Sequence, residues 1–149
     1  MSYCLYVFDW DGTLTPDRAT STENAPIVPL PGVQPRLADL AAQGAHIAVA
    51  TNQRGLSEKR QVRMGWGMFG KRVQTLCALY PEIGKVHVAV DDPERVKPAP
   101  GMLLELMRIY QATPEETLFV GDAETDREAA NRAGCGFMWA RDFFGWGNE

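Results

Sequence analysis

The sequence predicts an α/β fold: a mostly parallel five-stranded sheet with helices on both faces. Three observations carry the prediction. Five short apolar runs are separated by stretches of helical periodicity. Several of the runs end abruptly in carboxylate or hydroxyl residues. The chain has 149 residues, 45% of them hydrophobic, which is enough for one substantial core and too little for two ordinary domains. One domain over residues 1–149 is therefore expected.

Taken in order, the strands are expected at YCLYVFD (Tyr3 to Asp9), HIAVAT (His46 to Thr51), KVHVAV (Lys85 to Val90), TLFVGD (Thr117 to Asp122) and GFMWA (Gly136 to Ala140). Between them, Leu37, Leu40 and Ala41 fall on one helical face, as do Val62, Trp66, Phe69, Val73 and Leu76, and then Leu103, Leu106, Met107 and Tyr110. Each stripe is expected to pack on the sheet. The segment from Thr15 to Pro31 carries Pro16, Pro26, Pro29 and Pro31 and reads as extended loop or a short hairpin.

Composition excludes several classes. The N-terminal stretch MSYCLYVFDW has no basic leader and no long apolar run, so neither a signal peptide nor a membrane partner is expected, and the expected location is cytoplasmic. Cys4, Cys77 and Cys135 are odd in number and widely spaced, which suits buried reduced thiols. A net charge of -4 argues against a wholly basic surface for nucleic acid.

Ligands of open α/β sheets gather outside the carboxyl ends of the strands. Here those ends carry Asp9 and Asp11 after the first strand, Thr51 in TNQRG after the second, and Asp122 and Asp126 in GDAETD after the fourth, while Lys97 follows the third. Carboxylates converging on one edge repel unless a hard cation neutralises them, and magnesium is the natural candidate. Because magnesium keeps part of its shell for water and substrate, a phosphorylated substrate follows. Thr51 and the amides of Asn52 and Gln53 are placed to bind its oxygens, and Lys97 compensates the charge of a phosphoryl transition state. A carboxylate beside a cation can attack phosphorus, so Asp9 is read as a nucleophile forming an aspartyl-phosphate. Asp11, one residue on, is read as the acid/base for the leaving oxygen and the attacking water.

DWDGTL, ATNQ, Lys97 within KPAPGM, and GDAETD together resemble the four motifs of the haloacid-dehalogenase-like phosphohydrolases, in order and across most of the chain. The resemblance implies a Rossmann-like sheet, magnesium, and phosphate-ester hydrolysis through an aspartyl-phosphate. It implies that Asp9 is nucleophile and metal ligand, and that Asp11 is the acid/base with its backbone carbonyl on the metal. Thr51 and Lys97 become phosphate binders, Asp122 the third metal anchor, and Asp126 a ligand or organiser of metal-bound water.

Within the family, TNQ with KPAPGM is most similar to the capless subclass IIIA, which includes histidinol-phosphate, heptose-bisphosphate and polynucleotide 3'-phosphatases. The first two commonly carry a cysteine-rich zinc loop before the lysine and an arginine directly before it. The corresponding VDDPERVKP has no cysteine and places Val96 there, so no structural zinc is expected and both substrates are disfavoured. Only 39 residues separate Asp11 from Thr51 and 45 separate Thr51 from Lys97, too few for a large cap domain. The residues from Arg54 to Arg72 include Lys59, Arg60, Arg63 and Lys71 against Glu58 alone, a basic stretch near the phosphate site. Arg54 is counted among the substrate binders, and Trp10 packs in the core or stacks on a base. The sequence therefore reads as a magnesium-dependent phosphatase of a small phosphorylated metabolite. Two alternatives stay open: a polynucleotide 3'-phosphatase, with nucleic acid as partner, and a catalytically silent phosphate-binding module.

Overall fold

The computed structural model describes residues 3–17, 26–59 and 64–147. Five strands form one sheet in the order β3-β2-β1-β4-β5: β1 (Leu5–Phe8), β2 (His46–Asn52), β3 (Lys85–Ala89), β4 (Thr117–Gly121) and β5 (Gly136–Trp139). All four pairings are parallel, where the sequence had suggested mostly parallel strands. The central strands β1 and β4 are buried along their whole length, as a sheet covered on both faces requires.

The two covers follow from the strand alternation. Tyr6 and Phe8 of β1 face a core completed by Leu37 and Leu40 of α1 (Val33–Ala42) and Phe69 and Leu76 of α2 (Trp66–Leu79). Leu5 and Val7 face the opposite core, with Leu103, Leu106 and Met107 of α3 (Gly101–Tyr110) and Ala129 and Ala130 of α4 (Glu124–Ala133). A short α5 (Ala140–Phe144) adds Phe143 against Phe8, with ring centroids 5.7 Å apart. Among the described residues, no helix or strand lies between β1 and α1, and none of the helices is long and apolar enough to cross a membrane.

Several expectations need correcting. Trp66, the first residue of α2, is 57% exposed and meets the core only through an edge contact with the Phe69 ring, centroids 6.1 Å apart. Arg72, counted with the basic surface stretch, is buried on α2. The three cysteines are free but only half-buried; burial nonetheless pushes the Cys135 thiol up to about 11. Trp10 is 1% exposed and packs against Phe69, which removes it as a stacking platform. Val62, Arg60, Arg63 and part of the Thr15 to Pro31 segment lie outside the described residues.

Candidate active site

β1 ends at Phe8, and Asp9 continues the ladder by donating its amide to the Val120 carbonyl at 3.0 Å. The chain then turns back on itself. The amides of Thr13 and Leu14 bond to the Trp10 carbonyl, and Gly12 donates to Thr15 at 2.8 Å. Gly12 takes a φ of 82°, in the left-handed region. A Cβ there would stand 2.1 Å from Oδ2 of Asp122, so position 12 is restricted both by its backbone angle and by the carboxylate packed against it. Tyr80, fully buried at the end of α2, donates its hydroxyl to the Leu14 carbonyl at 2.7 Å and fixes the far side of the turn; burial pushes this phenol up to about 12.

Lys97 ties the strand ends together. Its buried ammonium donates to Oδ1 of Asp9 at 2.9 Å, to Oδ1 of Asp126 at 2.7 Å and to the Ala50 carbonyl at 2.9 Å. Burial by itself would lower this lysine, but the charges of Asp9 and Asp126 outweigh it and hold the ammonium above the usual range. Its backbone is clamped by Asn52, whose side-chain carbonyl accepts from the Lys97 amide at 3.0 Å while its amino group donates to the Lys97 carbonyl at 3.1 Å.

Asp126 begins α4. Its Oδ2 accepts from the amides of Asp122 and Ala123, both at 3.1 Å, as an acid near a helix N-terminus does. Gly121 admits that carboxylate, since a Cβ on it would lie 2.5 Å from Oδ2. Asp9, Asp122 and Asp126 each offer an oxygen, and these atoms lie within 4.8 Å of one another. Asp122 opens to solvent on one side, yet desolvation and then the charge of Asp9 push it up to about 8. Asp126 is raised as well, by burial and then by Asp9, against the opposing pull of Lys97.

The remaining predicted residues come from β2 and the turn after it. Thr51 is buried, and Gln53 reaches from Thr51 Oγ1 at 3.1 Å to Asp11 Oδ2 at 3.2 Å. The side-chain amide of Asn52 is engaged with Lys97, and the backbone amide of Gln53 with the Ala89 carbonyl at 2.9 Å. Arg54 is exposed on a short 3-10 turn, Arg54–Leu56.

Sequence reasoning missed the cluster that anchors the segment before Lys97. Arg95 donates to both oxygens of Glu105 on α3, at 2.7 and 3.0 Å, and to the Val88 carbonyl at 2.6 Å; His87 of β3 meets the same carboxylate at 2.9 Å. The guanidinium holds the Glu105 carboxyl below its ordinary range. The only signal in the sequence was an arginine two residues before the lysine.

A sheet of this order with acids on its carboxyl edge and a lysine bridging two of them defines an α/β phosphohydrolase-type centre. The sequence matches the haloacid dehalogenase-like hydrolase family over residues 17–134, and the chain belongs to that family. It is a phosphatase of the family, as its relatives show. The D-glycero-beta-D-manno-heptose-1,7-bisphosphate 7-phosphatase of Mesorhizobium japonicum is 31% identical, over 90% of this chain and 67% of that protein. The enzyme of the same name from Pseudomonas putida is 32% identical, over 88% of this chain and 78% of its own length. Among solved structures, a D,D-heptose 1,7-bisphosphate phosphatase from B. bronchiseptica, complexed with magnesium and phosphate, superposes with a TM-score of 0.72 at 26% identity. That match covers 92% of this chain and 79% of the other. A HAD-like phosphatase from Mesorhizobium loti gives a TM-score of 0.74 at 26% identity, over 90% and 70% of the two chains.

Proposed function

We propose that this chain is a magnesium-dependent phosphomonoesterase of a small phosphorylated sugar, working through an aspartyl-phosphate on Asp9. The observation that carries the reading is the buried Lys97 ammonium, bonded to Asp9 and Asp126 inside a cluster of three carboxylates. One lysine leaves that cluster with excess negative charge, and the donors are all hard oxygens, so the residues present fit magnesium. Asp9, Asp122 and the backbone carbonyl of Asp11 would hold it, with Asp126 beneath. When bound, it supplies positive charge to the phosphoryl oxygens and helps keep the displacement in line.

The protein's own residues do the rest. Lys97 holds Oδ1 of Asp9 and so fixes the nucleophile's orientation. An Asp9 oxygen forms a bond to phosphorus as the ester P–O bond breaks, and the leaving oxygen takes a proton from Asp11. Water then attacks phosphorus, gives a proton to Asp11, and the bond to Asp9 breaks to release phosphate. Thr51 holds a non-bridging oxygen through both steps, and the Lys97 ammonium, its three protons committed to Asp9, Asp126 and the Ala50 carbonyl, compensates the charge that gathers there.

The names of the relatives support a sugar phosphate, and a heptose bisphosphate is the first substrate to test. Val96 and the cysteine-free stretch before Lys97 depart from the motif pattern that the sequence resemblance implies for heptose-bisphosphate phosphatases. The test is phosphate release from a panel with and without magnesium: heptose bisphosphate, other sugar phosphates, histidinol phosphate and a 3'-phosphorylated oligonucleotide. The highest kcat/KM is expected on a sugar phosphate, with loss of turnover in chelator. A preference for the oligonucleotide would overturn the small-metabolite reading.

A further inference from the structure

We infer that Gln53 is a positioning residue that sets the working geometry of both Asp11 and Thr51; the inference rests on the acid/base role proposed for Asp11. Gln53 is 4% exposed and pinned through its backbone, donating its amide to Ala89 at 2.9 Å and accepting from Leu56 at 3.1 Å. Its side chain is therefore presented from a fixed base. Nε2 donates to Asp11 Oδ2 at 3.2 Å and to Thr51 Oγ1 at 3.1 Å. Both partners are oxygens that accept, so the amide turns its amino group towards them, which fixes its orientation.

Two consequences follow. Oδ2 of Asp11 is held by Nε2 at 3.2 Å, so the rotation of the carboxyl that serves the leaving group is set by Gln53. Thr51 accepts from Gln53, so its own hydroxyl proton is directed away from the amide. Among the described residues that proton meets the Asn52 carbonyl, at 3.4 Å, too long to compete with a phosphoryl oxygen. One buried amide thus aims the proton donor of the first step and the phosphate-binding hydroxyl together, a second layer of support behind groups that touch substrate.

The readout that separates positioning from structural support is leaving-group dependence. An activated aryl phosphate such as 4-nitrophenyl phosphate leaves without much help from an acid, whereas an alkyl phosphate needs the proton. Gln53→Met, near-isosteric and without donors, and Gln53→Glu, which presents acceptors in place of the amino group, are to be assayed on both esters with magnesium present. Thermal melts of both variants and Asp11→Asn as reference accompany them. Turnover of the alkyl phosphate is expected to fall about 10- to 100-fold, the weight of a hydrogen bond to a charged group, and that of the aryl phosphate by much less. Equal losses on both esters, or none on either, would overturn the inference, as would a variant that unfolds while its companion shows equal losses. A steep Asp11→Asn response with flat Gln53 responses sinks this inference alone. A flat Asp11→Asn response sinks the acid/base reading and this inference with it.

Discussion

A single methyl group at position 12 would enter the space of Asp122 and force a residue into a left-handed conformation that side chains disfavour. Gly12→Ala is expected to lower stability by about 1–3 kcal/mol and to displace Asp11 and Asp122 together, so that turnover falls more than the melting temperature alone explains. Calorimetry beside steady-state kinetics checks this; a destabilised variant with unaltered kcat would mean that the turn does not set the site. Asp9→Asn tests the nucleophile. The amide cannot form the acyl-phosphate, and turnover is expected to fall about 10³-fold or more. Its melting temperature should hold or rise, since the substitution removes one of three mutually repelling charges while Asp126 still pairs with Lys97. At this scale the sequence was most legible. Asp9, Asp11, Thr51, Lys97, Asp122 and Asp126 were singled out from residue type and position after a strand, and the fold brings them to one edge. The sequence did not show that Asn52 and Gln53 spend their side chains on Lys97, Asp11 and Thr51, since hydrogen bonds across 42 and 45 residues leave no local trace.

Elements were legible where periodicity is strong and weaker where it is short. All five strands were placed within two residues of their observed ends, because parallel strands buried on both faces read as continuous apolar runs. The Leu103, Leu106 and Met107 stripe packs on the sheet as expected. The Val62 to Leu76 stripe was overextended at Trp66, since a helix's first residue need not reach the layer that Phe69 and Leu76 enter, and Val62 lies outside the described residues. α4 carries its core contacts on Ala129, Ala130 and Ala133, whose small side chains give little hydrophobic signal. The link between β3, α3 and the Lys97 loop rests on Glu105, which accepts from two of the three Arg95 nitrogens and meets His87. Glu105→Gln is expected to cost about 1 kcal/mol of stability, the upper range for a partly exposed ion pair of this forked geometry. It should also slow turnover if the anchored Arg95 restrains the loop that carries Lys97 two residues on. Urea denaturation and kcat measured on one preparation test both parts, and an unaltered kcat at reduced stability would detach Arg95 from the site.

For the whole molecule, the strand order puts β1 between β2 and β4, so the acids after β1 and β4 and the hydroxyl at the end of β2 lie side by side. Crowding them has a consequence for stability. Asp122 stands near 3.8 in its ordinary state and at about 8 in the fold, so across that interval the folded chain keeps a proton that the unfolded chain gives up. Stability without metal is therefore expected to fall as pH rises through that window. A cation at the cluster takes over the proton's compensating role, so magnesium should raise the melting temperature more at about pH 8 than at about pH 5.5. Thermal melts in chelator and in magnesium at both pH values measure this, and a magnesium shift that shrinks with rising pH would contradict it.

The sequence by itself determined the fold class, the strands and the identity of the charged residues at their ends, because apolar periodicity and residue type are local properties of a chain. The tertiary structure alone decided which of those residues touch. It buried Trp10 and Arg72, set the Lys97 ammonium between Asp9 and Asp126, and turned the Gln53 amide onto Asp11 and Thr51. Those pairings depend on how strands far apart in the chain are ordered in the sheet and how deeply each side chain is withdrawn from water, and burial is what gives a hydrogen bond or a charge its weight.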